Sequence, residues 1–243
     1  MTAPAWPGLD TEGVIRTVPP FAVMAGVAVL VVIGLVLAMA VDRREVVAPA
    51  AEVPPVAATP TAEEMRTVSR ATGIPSRALA AYVAAAQTAA ENVPDCRIAW
   101  NTLAGIGSSE SSHGAFGGAT LAADGVAAPL IIGVALDGTG GNRAISDTDG
   151  GELDGDVQWD RAVGPMQFIP TTWATWGADG DGDGVRNPHD IDDAALAAAL
   201  YLCDAGDDLS ASEGWSKAVL TYNNSGSYAR KVARTATTYA DAA

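Results

Sequence analysis

The chain has 243 residues, with 29 acidic against 14 basic side chains, a formal net charge of −15 and two cysteines. That balance leaves no electrostatic footprint for a nucleic acid. The acids are clustered, six between Asp147 and Asp160 and six between Asp179 and Asp193, which points to cation sites or acidic loops instead of a uniformly acidic surface.

Residues 1–20 are short, proline-containing and featureless. Phe21 to Val41 is a 21-residue run without a charge, long enough to cross a bilayer as one helix. It is read as an uncleaved transmembrane anchor, the alternative being a signal peptide cut after Ala38-Met-Ala40. Arg16 precedes the run while Arg43 and Arg44 follow it, and by the positive-inside rule that favours a cytoplasmic C-terminal side. Asp42 to Pro60 is rich in Ala, Val and Pro and reads as a semi-extended spacer.

The folded part, 61–243, opens at Thr61-Ala-Glu-Glu64, a capping-box pattern that starts a short helix. Gly73-Ile-Pro75 breaks it, and Ser76 begins an Ala-rich helix running to about Asn92. A third helix is expected from Asp95, as its cap, to Gly114, as its stop, with Ile98, Leu103 and Ile106 as its apolar stripe. Leu130 to Leu136, the Gly-rich Asp137 to Asn142 and Arg143 to Ser146 predict a small β-hairpin. Asp147 to Asp160 is an acidic loop without metal-ligand spacing. Helical signals return at Pro170–Trp176, Asp192–Cys203, Ser212–Tyr222 and from Ser227 to the end. The fold class is therefore mainly α (α+β), with a small β-hairpin insertion.

Glu110 lies four residues after Ile106 and seven after Leu103, on the apolar side of the third helix. Burial there raises a carboxyl pKa and suits it to general-acid work near neutral pH; the bland reading is a solvated Glu at a frayed helix end. Three blocks line up in order: Ser109-Glu110-Ser111-Ser-His113-Gly114, Val163-Gly-Pro-Met-Gln167-Phe-Ile-Pro-Thr-Thr-Trp173, and Thr221-Tyr222-Asn223-Asn-Ser225 with Tyr228. With these blocks the chain, from about Thr61 to its end, resembles the lytic transglycosylases of goose-lysozyme-like fold, most closely the membrane-bound B-type group.

That resemblance implies a lysozyme-like catalytic domain over 61–243. Glu110 would be its single acid/base, and Gln167, Tyr222 and Asn223, with Tyr228, would line a saccharide groove. Ser111 is a further groove candidate, and His113 is either groove-lining or a helix-end residue that interacts with the dipole. Met166 and Phe168 read as core. The implied activity is cleavage of the MurNAc-β-1,4-GlcNAc bond of peptidoglycan to 1,6-anhydro ends, on glycan strands outside the membrane. Ordinary glycosidases pair two carboxylates, and no second acid occurs in the three blocks. The alternatives are a hydrolytic muramidase using the same groove, and a non-catalytic glycan-binding scaffold.

Asp179-Gly-Asp181-Gly-Asp183-Gly-Val185-Arg-Asn187-Pro-His-Asp190 fits an EF-hand-type loop. Asp179, Asp181, Asp183, Val185, Asn187 and Asp190 are its candidate calcium ligands, with Asp in place of the usual closing Glu. The competing reading is a solvated Asp/Gly turn. Calcium would be structural, and no organic cofactor is implied. Cys96 and Cys203 allow one disulfide if the domain is exported, or are otherwise two small buried hydrophobes.

Overall fold

The structure is a computed structural model, and it describes residues 52–243. The expected anchor over 21–41 and most of the spacer lie outside the described residues. Among the described residues no helix is long and apolar enough to cross a membrane.

Seven α-helices are described: α1 Ala62–Thr72, α2 Ser76–Asn92, α3 Trp100–Ser111, α4 Pro170–Trp176, α5 Ile191–Gly206, α6 Ser212–Tyr222 and α7 Gly226–Ala240. The capping box forms as its sequence requires, with the Thr61 hydroxyl and the Glu64 carboxylate each accepting from the other's backbone N–H. Gly73 ends α1 in the left-handed region. Helix α5 supplies the centre of the core. Its Ala194, Ala195, Ala197, Ala198 and Ala199 are all buried, and it packs chiefly on the equally Ala-rich α2 and on α6. Small side chains let helix axes approach closely, so the bulk of the core comes from Leu79, Tyr82, Leu202 and Trp215 at the seams.

Helix α3 packs chiefly against α7. The two run antiparallel: Asn101 reaches the Ala236 carbonyl, Gly105 faces the Val232 carbonyl, and Glu110 meets Tyr228. A Cβ on Gly105 would lie only 3.0 Å from the Val232 oxygen, so this seam is close and smooth.

The β structure consists of two small antiparallel pairs. β1 (Thr120–Leu121) pairs with β2 (Ala127–Ala128), and β3 (Ile132–Ala135) pairs with β4 (Arg161–Val163). This corrects the expected hairpin. Asp137 and Ala144 close the Gly-rich turn only as an isolated bridge, and the strand partner of Ile132–Ala135 is Arg161–Val163, beyond the acidic loop. The reason is Arg161: its guanidinium donates to the Gly133 carbonyl at 3.1 Å and pairs with Asp156, drawing the far side of the loop onto β3.

Two expected helix boundaries also move. Asp95 does not cap α3; it lies in a 3-10 turn, Pro94–Cys96, and the N-cap is Ala99 without a side-chain bond. At the other end Ser112, not Gly114, is the left-handed C-cap. Cys96 and Cys203 form a disulfide, joining the turn before α3 to the last part of α5. The end of the expected spacer is not free. Asn101, fully buried in α3, accepts from Ala57 N–H and donates to the Pro55 carbonyl, and the Trp100 indole donates to the Ala58 carbonyl. Residues 53–60 thus form a strap across the start of α3, with Pro54 and Pro60 buried beneath it.

Candidate functional site

Glu110 sits in the last full turn of α3, half-buried, and its Oε1 accepts from the Tyr228 hydroxyl at 2.5 Å. Burial pushes its carboxyl up to about 7, against the opposing pull of the Tyr228 bond and of Lys231. Both protonation states are therefore accessible near neutral pH, the condition for a group that must give and then take a proton. Among the described residues Tyr228 and Lys231 are the groups acting on this carboxyl, and no second carboxylate does so.

Tyr228 lies in the first turn of α7, which Ser225 caps by accepting its backbone N–H. Burial, followed by the nearby Glu110, holds the phenols of both Tyr228 and Tyr222 far above the ordinary tyrosine value, so they stay protonated as donors. Tyr222 ends α6 and donates to the Met166 carbonyl at 2.8 Å. It fixes the backbone of the second block, and the Phe168 ring stands edge-on to it with centroids 5.9 Å apart.

That second block is a tight turn. Val163 and Phe168 form a bridge, and Gln167 takes a left-handed φ of 53° between them. The Gln167 Nε2 donates to the Gly164 carbonyl at 3.1 Å and, more weakly, to that of Ala162. Its Oε1 faces β3 at Gly133, where a Cβ would stand 3.0 Å away. The turn rests on the end of the Asp179–Asp190 loop: Gly164, at φ 74°, lies so close to Pro188 that any Cβ would overlap the Pro188 carbonyl. Met166 and Phe168 are core, as the sequence indicates.

Glu110, Tyr228, Tyr222 and the Gln167 turn come together. Asn223 is an exposed C-cap of α6 beside them. Ser111 and His113 do not line a groove. Ser111 is buried; its hydroxyl donates to the Pro165 carbonyl at 2.6 Å and accepts Gly114 N–H at 2.7 Å, tying the end of α3 to the Gln167 turn. His113 is buried between Tyr82 and Tyr239, and burial pulls its pKa down to about 4. A neutral ring in that setting is neither a helix-dipole partner nor a sugar contact.

Tyr201 was not found from the sequence. It is half-buried on α5, its ring is 5.8 Å from Tyr222 and 5.7 Å from Trp176, and it extends the aromatic wall away from Glu110. Its one signal is that it is the sole aromatic in an Ala-rich helix.

In the acidic loop Asp179, Asp181 and Asp183 each accept backbone N–H groups from residues two to five positions on. The Asn187 side chain accepts His189 N–H. Asp190 is the N-cap of α5, accepting Asp192 N–H, and its carboxylate also groups with those of Asp181 and Asp192, with ligand atoms within 4.8 Å of one another. The carboxylate that meets Asp179 and Asp181 is Asp193, with ligand atoms within 4.8 Å of one another. A helix beginning at Ile191 turns position 190 into a cap and swings 193 toward the loop. Burial raises the Asp193 carboxyl pKa, although Gly180 and Asn187 N–H groups donate to it.

Residues 152–216 match the family model described as a transglycosylase SLT domain. Among curated proteins no sequence matches. The chain is similar to SltB3 from Pseudomonas aeruginosa, in its crystal structure in complex with NAG-anhNAM-pentapeptide. Identity is 18% and the TM-score 0.41, over 75% of this chain and 67% of that one.

Proposed function

We propose that this chain, which carries a transglycosylase SLT domain, is a lytic transglycosylase that cleaves the MurNAc-β-1,4-GlcNAc bond of peptidoglycan with Glu110 as its acid/base. The observation that carries the reading is a lone, half-buried carboxyl with its pKa raised to about 7 and a tyrosine hydroxyl on one oxygen. In the first step the protonated Glu110 gives its proton to the bridging oxygen as the C1–O bond breaks, releasing the GlcNAc 4-hydroxyl. In the second, the Glu110 carboxylate takes the proton of the muramyl C6 hydroxyl while that oxygen bonds to C1. The acid is regenerated and the product carries a 1,6-anhydro ring. A single carboxylate suffices because the substrate supplies the nucleophile. Tyr228 holds one oxygen of Glu110 and leaves the other for the substrate. Asn223 and the Tyr222 wall present amide and aromatic groups suited to sugar hydroxyls, N-acetyl groups and ring faces, while the Gln167 side chain holds its own turn beside them. Mass spectrometry of digested sacculi tests this: products one water lighter than the reducing sugar are expected. Reducing ends alone would mean a muramidase, and binding without release would mean a scaffold.

The apolar run 21–41 supports single-pass membrane anchoring, and the disulfide supports an extracytoplasmic domain. Protease accessibility on cells stripped of wall is the check, and a protected domain would overturn the topology. The Asp179–Asp190 loop supports a structural calcium ion held by Asp179, Asp181 and Asp193, with Asp183, the Val185 carbonyl, Asn187 and Asp190 as further oxygen donors. All are hard oxygen ligands, which fits that cation.

A further inference from the structure

Directly after Ser111 the backbone enters the left-handed region three times in succession, at Ser112 (φ 53°), His113 (61°) and Gly114 (81°). Two of these residues carry side chains, for which that region is unfavourable, so the turn persists only if its surroundings hold it. His113 N–H donates to the Gly107 carbonyl at 3.0 Å, folding the chain back along α3. The imidazole is then held at both ends: Nδ1 lies 3.2 Å from the Tyr82 hydroxyl on α2, and Nε2 2.9 Å from the Tyr239 hydroxyl on α7. Gly107 makes room for this, since a Cβ there would run into the Tyr82 hydroxyl. A neutral imidazole has one donor and one acceptor edge, so one tyrosine donates to it and the other accepts from it.

We propose that His113 is a positioning residue: its paired bonds to Tyr82 and Tyr239 keep the turn after Ser111 folded and so hold the Glu110 carboxyl against the Tyr228 hydroxyl. The proposal rests on the reading of Glu110 as acid/base. The route is short. His113 lies three positions after Glu110, and between them Ser111 is bonded to the Gln167 turn at Pro165. Helix α7 carries Tyr228 as well as Tyr239, and it packs closely on α3 at Gly105, against Val232 and Ala236, so a change at one end of α7 is passed along this seam. Releasing the turn therefore frees the last turn of α3 and loosens α7, the two elements whose contact sets the protonation of Glu110. The charged and titratable groups facing that carboxyl are Tyr228 and Lys231 on α7 and Tyr222 on α6.

The test uses the full chain and the variants Y82F, Y239F, H113F and H113Q. Each Tyr→Phe change deletes one hydroxyl, and Gln at 113 restores a donor and an acceptor that Phe lacks. On sacculi, Y239F and H113F are expected to lower kcat about tenfold or more with KM within about twofold, and H113Q to recover part of the loss. Burial raises the Glu110 pKa and the Tyr228 bond lowers it, so a disturbed α3–α7 contact displaces the Glu110 limb of the pH–rate profile from its wild-type position. The same shift is read without turnover by a carbon-13 carboxyl titration of Glu110, assigned by difference with E110Q. A displacement of at least about half a unit in Y239F supports the proposal. An unmoved Glu110 titration with wild-type kcat in Y82F and Y239F overturns it, even if both melt at lower temperature. A wild type that releases no anhydro product overturns the enzymatic reading instead, and the titration still decides the positioning role.

Discussion

Glu110 and His113 lie three residues apart and titrate in opposite senses. Burial raises Glu110 from 4.5 to about 7, so its contribution to stability is present below pH 4.5 and is lost as pH rises through 7. Burial lowers His113 from 6.5 to about 4, so its contribution is present above 6.5 and is lost as pH falls toward 4. Between about pH 4.5 and 6.5 the two slopes oppose each other and flatten the stability curve. Glu110→Gln removes one of them. Its melting temperature should match wild type near pH 4.5, then climb above it through pH 7, by at most about 3 kcal/mol of stability. Its rate should fall about 10²–10⁴-fold with sacculus binding intact. More than about a tenth of the wild-type rate would remove Glu110 from the chemistry. Tyr228→Phe has its own signature. It deletes a bond that favours the carboxylate, so the pH–rate limb moves up while the fold stays, and an unmoved limb would separate Tyr228 from the acid.

At the scale of elements, the acidic loop lies between α4 and α5, and its last residues support the Gln167 turn at Gly164. Calcium binding only to the folded state stabilises in proportion to the logarithm of its concentration over the dissociation constant. At ten times that constant the gain is about 1.4 kcal/mol, a few degrees in melting temperature. Melts with EDTA and with millimolar calcium should differ for wild type and agree for Asp193→Ala; equal wild-type melts would leave the loop a solvated turn. Where an element depends on neighbouring residues, the sequence was a sound guide: the Thr61 capping box, the Gly73 stop and the span Ser76–Asn92 all formed as read. It misled where a distant partner decides. The strand partner of Ile132–Ala135 waits on Arg161. The same holds within the site. Glu110, Tyr222, Gln167 and Tyr228 lie in readable blocks, whereas the inward turn of Ser111 and His113 depends on Pro165, Tyr82 and Tyr239, remote in sequence.

For the molecule as a whole, the Cys96–Cys203 bridge closes a loop of 107 residues that contains Glu110 and the Gln167 turn but not Tyr222 or Tyr228. In the chain-entropy picture a bridge of that span contributes up to about 4–5 kcal/mol, usually less in practice. Cys203→Ala paired with Cys96→Ala should lower the unfolding midpoint in denaturant while sparing kcat at low temperature; an unchanged midpoint would show that the helices alone hold the fold. The strap at 53–60 makes the domain begin earlier than its first helix. A chain cut to start at Thr61 would expose Trp100 and leave the buried Asn101 amide short of two partners. The loss should be on the order of 1–3 kcal/mol per unsatisfied group, measured against a chain that starts at Glu52.

The strap also determines where mechanical load enters. Tension on the strap is delivered to Trp100 and Asn101, at the beginning of α3. Glu110 is nine residues further along the same rod, about 13 Å away at the rise of an α-helix. Pulling there shears the hydrogen bonds of the strap before it disturbs the far end of the helix. The strap can therefore yield while the carboxyl and its tyrosine keep their alignment.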